Sequence, residues 1–351
     1  MSREVLSPSV QRMSQNRRYR VNVVHDDFGG AKWNSQNKLA TPENKAYEEP
    51  DLYGDDDDED DEALKYIEES ASGDFSLSIH VSKSFYGGLI GMKGSTKRRI
   101  EEETRTEIYV PRQNEKSNEV TIRAKQRNQL CAALRQIRHL VASLRKKMKP
   151  THFLALALNF GEVKERFVEL KKCILEAELP GIDEELFISE CCIHITLGIY
   201  VLLDDGERQE ALRNLESCRR LLDGSKTPFE VRVKGLEIMN DDPSSTSVLY
   251  ARIECPDLQK FADNCLAHFQ TTGLCATHHI ERKSIKLHMT VMNKRYANEA
   301  MKSGNSFDAR EILKRFGDFD FGVAQSQAVH LCVLKSRGED EFYKKTGSLE
   351  F

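Results

Sequence analysis

This chain of 351 residues has no apolar run long enough to cross a membrane. Its first stretch, MSREVLSPSVQRMSQNRRYR, lacks the apolar core of a secretory signal. A soluble, intracellular protein with no membrane association is expected. The nine cysteines are odd in number and scattered (Cys131, Cys173, Cys218, Cys265 and Cys332 among them), which fits buried thiols in a reducing compartment better than a disulfide framework. A zinc pattern is also missing. Cys275 with His278 and His279 has no second Cys/His pair at suitable spacing to complete four ligands, so neither a metal nor another cofactor is expected.

The net charge of −4 is uninformative because it averages opposite extremes. Residues 48–69 carry 13 acidic residues against one lysine, including DDDDEDDE from Asp55 to Glu62, whereas residues 74–150 hold 17 Lys or Arg against 7 acids. An acidic tail precedes a basic module. Residues 1–72 have little apolar periodicity and cannot bury enough surface to offset the entropy of ordering, so they read as a disordered arm. The acidic run is a solvated, self-repelling segment that could compete with nucleic acid for the basic module. Within the arm, RRYRVN sets Arg17, Arg18 and Arg20 around Tyr19 and has the composition of a short partner-docking peptide.

Residues 73–149 read as one module. SLSIHV alternates as a strand, a helix, a glycine break and a second helix follow, EIYVP and EVTIRA are two more strands, and Leu130, Leu134, Ile137, Val141, Leu144 and Met148 mark a long amphipathic helix. The order is β-α-α-β-β-α. At the break stands LIGMKGS, from Leu89 to Ser95. Its glycines allow close backbone approach, the helix start at Ser95 offers unpaired amides, and Lys93 adds charge, which suits a phosphodiester backbone. Ile90, Gly91, Met92, Lys93, Gly94 and Ser95 are the candidate contacts, with Lys97 and Arg98 adding attraction from the helix. Placed in this order of elements, the Gly91-Met92-Lys93-Gly94 loop resembles that of the type I KH domains. The resemblance implies a clamp for about four nucleotides of single-stranded RNA.

After Pro150 the pattern strand, helix, His-x-Thr strand occurs twice. THFLALALN and a helix from Gly161 with Val163, Phe167, Leu170 and Ile174 on one face lead to HITLGIY. SVLYARIE and a helix from Pro256 with Leu258, Phe261, Cys265 and Phe269 in line lead to IKLHMTVMN. Between them lie a helix near Glu207–Leu222 and the strand PFEVRVKGLEIMN; FDAREILKRFGDFDFG closes the pattern as an amphipathic helix and a turn. A strand alternates faces with period two, so His194, Thr196, Gly198 and Tyr200 are expected on one face, and Lys286, His288 and Thr290 on one face of the second strand. A lone histidine in an apolar strand is usually structural. Two copies of apolar-His-x-Thr, ninety-four residues apart, point to chemistry.

The two motifs resemble those of the two-histidine (2H) phosphoesterases, and the chemistry that this resemblance implies is phosphoryl transfer. One histidine takes a proton from the attacking oxygen and the other protonates the leaving oxygen, each worth roughly 10²–10⁴-fold. Thr196 and Thr290 can donate to the phosphoryl oxygens, and no metal is required. Gly198 leaves space, Tyr200 could line the groove, and Lys286 could assist phosphate binding.

Residues 150–351 resemble the two-histidine (2H) phosphoesterases, which include RNA ligase-like cyclic phosphodiesterases and a domain of some kinase-anchoring proteins. The expected fold is α+β: a type I KH domain, then a bilobal domain whose two antiparallel sheets flank a central groove. The whole arrangement is similar to the KH-2H subunits of nuclear transcription coactivator complexes. It implies localisation to the nucleus and its speckles, and partnership with a large helicase and a ubiquitin-binding subunit in coactivation, RNA processing and repair of alkylation damage. The activity implied is a metal-independent RNA phosphodiesterase; the alternative is a non-catalytic adaptor whose groove only grips RNA ends.

Overall fold

The computed structural model describes residues 10–13, 17–20, 65–70, 73–115, 117–296 and 306–351, and its contacts divide the chain between Gly54 and Asp55. In the first unit, β1 (Val10–Met13) pairs antiparallel with β2 (Arg17–Arg20), with Gln11 opposite Tyr19. The expected docking residues Arg17, Arg18, Tyr19 and Arg20 therefore form a strand, in a stretch for which composition suggested no element. The acidic run from Asp55 to Glu62 lies outside the described residues.

The second unit begins with the expected β-α-α-β-β-α order: β4 (Phe75–His80), α1 (Tyr86–Ile90), α2 (Ser95–Thr104), β5 (Glu107–Tyr109), β6 (Glu119–Ala124) and α3 (Arg127–Arg145). A short β3 (Glu68–Glu69) extends the sheet upstream, giving the order β3-β4-β6-β5. Helix α3 starts where Gln126 and Gln129 cap each other's backbone, and its Leu130, Leu134 and Ile137 are fully buried against Leu77, Leu89, Ile100, Val120 and Ile122. Gly88 lets α1 approach α3 closely: a Cβ there would lie 2.4 Å from Leu144 Cδ1, so the leucine would have to shift.

The remainder builds two four-stranded antiparallel halves. One is β8 (His194–Tyr200), β7 (His152–Ala157), β13 (Ala328–Val333) and β14 (Lys345–Glu350); the other is β12 (Asp320–Ser326), β9 (Phe229–Ile238), β10 (Val248–Glu254) and β11 (His288–Asn293). They meet where β8 and β11 share a single registered pair, Ile195 with Met289. Helices α4 (Gly161–Glu176) and α6 (Pro256–Thr271) bury the faces that their spacing marked: Val163, Phe167, Leu170 and Ile174, and Leu258, Phe261, Cys265 and Phe269. Each large side chain so buried contributes roughly 1.5–3 kcal/mol. Helix α5 (Asp205–Ser217) is started by Asp204, whose carboxylate accepts from the Glu207 amide at 3.0 Å. The short helices α7 (Thr277–Ile280) and α8 (Arg310–Phe316) complete the set. Beyond α8 the structure adds β12, β13 and β14, where the sequence suggested a turn up to Gly322 and no element after it. Among the described residues, no helix is long and apolar enough to cross a membrane.

Candidate active site and nucleic-acid loop

The β8–β11 junction brings the two His-x-Thr motifs together. Strands run antiparallel through Ile195 and Met289, so one residue away His194 stands beside Thr290 on one side, and Thr196 beside His288 on the other. Ile195 and Met289 are fully buried beneath, while the four polar residues are half-buried on the opposite face. Each motif thus places its hydroxyl next to the other motif's imidazole.

The expected alternation holds only as far as Leu197. Strand β8 pairs Thr196 with Ala155 but Gly198 with Leu154, so Leu197 is an extra residue, a β-bulge. Beyond it the faces exchange. Gly198 and Tyr200 do not line the groove: both are buried on the core side, where the Tyr200 ring lies 4.7 Å from that of Phe269. A Cβ on Gly198 would stand 2.2 Å from the Tyr200 hydroxyl, so glycine makes room for a core tyrosine rather than for a ligand. The second motif carries the same device. β11 pairs Thr290 with Tyr250 but Met292 with Leu249, leaving Val291 as the extra residue.

Both imidazoles are held alike. His194 Nδ1 donates to the Cys192 carbonyl (2.7 Å) and His288 Nδ1 to the Lys286 carbonyl (2.8 Å), so both rings carry their proton on Nδ1 and leave Nε2 as the available base. Aromatic rings fix the planes: Phe153 and Tyr343 lie 5.2 and 5.3 Å from His194, and Tyr250 lies 5.5 Å from His288. Lys286, expected to bind phosphate, reaches over the Tyr250 ring at 4.7 Å, with Glu237 Oε2 4.0 Å from its ammonium. It stands at the rim, next to His288.

Burial pushes His194 down to about 4, against the opposing hydrogen bond to the Cys192 carbonyl and with a smaller lowering from His288. Burial also lowers His288, and it holds His152 and His330 at about 4. The folded chain therefore resists protons that the unfolded chain accepts. These groups contribute fully above about pH 6.5, and stability is lost as pH falls toward 4. Urea unfolding at pH 7 and pH 5 is expected to show a lower midpoint at pH 5 with an unchanged slope.

In the amino-terminal module the glycine loop has its own geometry. Gly91 sits at φ +71°, where a Cβ would lie 2.2 Å from Thr96 Oγ1, and Lys93 (φ 52°) and Gly94 (φ 80°) are both left-handed. The turn ends at Ser95, the first residue of α2, and presents Met92, 83% exposed, and Lys93 at its tip, with Ile90 partly exposed alongside. The helix cations are less free than expected. Lys97 is paired with Glu101 at 2.9 Å, and Arg98 donates to the Lys93 carbonyl, bracing the loop rather than extending toward a ligand.

Several groove residues were not legible in the sequence. Tyr250 and Arg252 reach the groove face as the partners of Thr290 and His288; Phe342 and Tyr343 fold over the other half from the segment between β13 and β14. Among the described residues, no group of three or more His, Cys, Asp or Glu could hold a metal ion.

Comparison with known proteins agrees with both modules. Residues 76–139 match the model of the KH domain, and residues 150–351 match that of the AKAP7 2'5' RNA ligase-like domain. The chain is 32% identical over 303 residues to mouse activating signal cointegrator 1 complex subunit 1, covering 79% of this chain and 84% of that protein. Among solved structures it is similar to the first type I KH domain of human vigilin (23% identity, 22% of this chain and 81% of that one, TM-score 0.20). It is also similar to a protein of Thermus thermophilus (16%, 57% and 97%, 0.42) and to a phosphoesterase (13%, 58% and 99%, 0.35). The chain belongs to the family of activating signal cointegrator 1 complex subunit 1, in which a KH domain precedes an AKAP7 2'5' RNA ligase-like, 2H phosphoesterase-like domain.

Proposed function

We propose that this protein is an RNA phosphodiesterase that works without a metal ion, acting on phosphodiester bonds or cyclic-phosphate ends of RNA that its KH domain binds. The observation that carries the reading is the β8–β11 junction, where His194, Thr196, His288 and Thr290 share one face and both imidazoles keep Nε2 available. A phosphorus atom above the junction is flanked by a base that accepts the proton of the attacking oxygen and an acid that protonates the leaving oxygen. The two threonine hydroxyls donate to the non-bridging oxygens, where charge grows in the transition state. The test is to incubate the chain, in EDTA, with RNAs ending in a 3′-phosphate or 2′,3′-cyclic phosphate and with 2′-5′ and 3′-5′ linkages. One of these is expected to be consumed by the wild type and not by a His194→Ala/His288→Ala control. Binding without turnover would leave the adaptor reading.

The KH domain would raise the local concentration of substrate at the groove. Its loop contact is expected to fail when Met92 and Lys93 are both replaced by aspartate, because two carboxylates then face phosphate. Affinity for a single-stranded RNA should fall about tenfold or more at low salt, with an unchanged circular dichroism spectrum, since both side chains are exposed. The relative's name supports a role as a subunit of an activating signal cointegrator complex; we further propose, from what the sequence resembles, that the protein works in the nucleus alongside helicase and ubiquitin-binding subunits. There the strand bearing Arg17 to Arg20 would serve as a docking element. Co-purification of such subunits with the wild type, but not with a chain lacking residues 1–22, is the corresponding test.

A further inference from the structure

The two halves of the 2H domain repeat one another through the bulge, yet they differ beside the histidines. The strand residue paired with His194 is Ala157; the one paired with His288 is Arg252. On the Ala157 side the groove face is covered by Phe153, Phe342 and Tyr343. On the Arg252 side lies a cavity of about 590 Å³, lined by Arg252, Glu237, Leu236 and the segment Leu313–Phe319.

The seat of Arg252 is built into the backbone. Gly235 interrupts β9 at φ +78°, and a Cβ there would stand 2.4 Å from Arg252 Nη2, so the absence of a side chain at 235 lets the guanidinium lie across the strand. Its Nε donates to the Lys234 carbonyl at 3.3 Å, while Glu237 Oε1 is 3.8 Å away. The Gly235 and Leu236 amides donate to the carbonyls of Phe319 (2.8 Å) and Gly317 (2.7 Å), which fixes the cavity wall to the same strand. That wall supplies the apolar surface of Leu313, Phe316 and Phe319, the carboxylate of Asp318, and the cations of Lys314 and Arg315, both of which are paired with Glu311 (3.6 and 3.3 Å). A flat ring against apolar side chains, with an anion at a guanidinium on its near edge, describes one nucleotide. The volume is that of a small-molecule site.

We propose that this cavity is a subsite for the nucleotide next to the one that reacts, with Arg252 holding the phosphate between them, so that the preferred substrate is an oligonucleotide rather than a mononucleotide. The proposal rests on the phosphodiesterase reading and specifies its substrate class. Arg252 lies one strand away from His288, about 4.8 Å across the sheet, and points away from the junction toward Gly235, so it addresses a second phosphate rather than the reacting one.

The experiment compares uridine 2′,3′-cyclic phosphate with uridylyl-(3′→5′)-uridine 2′,3′-cyclic phosphate, for the wild type and for Arg252→Gln and Arg252→Lys. Neither compound is long enough to occupy the roughly four-nucleotide KH loop. The dinucleotide is expected to show a lower KM with the wild type. Arg252→Gln should remove that advantage, raising the dinucleotide's KM about ten- to hundredfold and the mononucleotide's by far less, and Arg252→Lys should restore part of it. Equal wild-type KM values, or an equal loss on both compounds, would overturn the subsite. Calorimetric titration with uridine 3′-phosphate and uridylyl-uridine 3′-phosphate separates the two readings. If neither cyclic compound is turned over, the enzymatic reading fails, and the subsite stands or falls on whether the dinucleotide binds more tightly than the mononucleotide in an Arg252-dependent way.

Discussion

Replacing either His194 or His288 with alanine is expected to lower turnover by about 10²–10⁴-fold, and replacing both by little more than replacing one, because acid and base act as a unit. The fold should survive, since Ile195 and Met289, on the opposite face, carry the junction's burial. The pH profile is the more discriminating readout. In the free chain His194 is held at about 4 and His288 below its ordinary value. The form with one imidazole protonated and the other neutral is therefore most populated on the acid side of pH 6.5, where kcat/KM should peak. A bound phosphate anion favours the protonated imidazole, so the kcat profile should be displaced to higher pH. Measuring both profiles on one substrate checks the sign: coincident optima above pH 7 would contradict the burial that lowers both groups.

The second large effect lies between the domains. Arg145, at the end of α3, and Glu207, in the first turn of α5, form an ion pair at 2.6 and 3.0 Å with side chains only 7% and 4% exposed. The guanidinium also donates to the Val201 carbonyl and lies 4.9 Å from the Phe85 ring centre; Glu207 accepts from the Leu203 amide at 2.7 Å. Around this pair, His80 Nε2 and Asn118 Nδ2 reach the Asp204 carboxylate at 3.0 and 3.4 Å. Arg145→Ala leaves a buried carboxylate without its partner and is expected to cost about 3–5 kcal/mol. In urea it should split unfolding into two transitions, one for each domain. Arg145→Met with Glu207→Leu removes both charges and should recover much of that loss. A single transition at the wild-type midpoint for Arg145→Ala would show that the pair does not join the domains.

The elements that the sequence announced are those whose signals are local. The period of four and three in α3, α4 and α6 marked the buried faces correctly, and the glycine loop could be placed between its helices because its residues are contiguous. His194, Thr196, His288 and Thr290 were legible because they lie within three residues of each other in each strand, short of the bulge. Gly198 and Tyr200 were misplaced because a strand's period of two does not record an inserted residue; the lone glycine inside an apolar strand was the available warning. Tyr250, Arg252 and Phe342 were invisible for a different reason. They enter the groove through strand pairing and a loop crossing, and register is a property of two strands rather than of one. The carboxy-terminal strands escaped notice because GDFDFGVAQS and AVHLCV carry no contrast between their faces strong enough to stand out beside the preceding helix.

The inserted residues at 197 and 291 divide each strand into a length that serves solvent and a length that serves the interior. Deleting Leu197 alone would leave a regular ladder in which Thr196, Gly198 and Tyr200 keep Ala155, Leu154 and His152 as partners, so Tyr200 would stay packed on Phe269 and only the buried leucine would be lost. One inserted residue in each strand, with no catalytic side chain touched, thus changes which numbered positions reach the cleft while the two faces of the sheet stay the same.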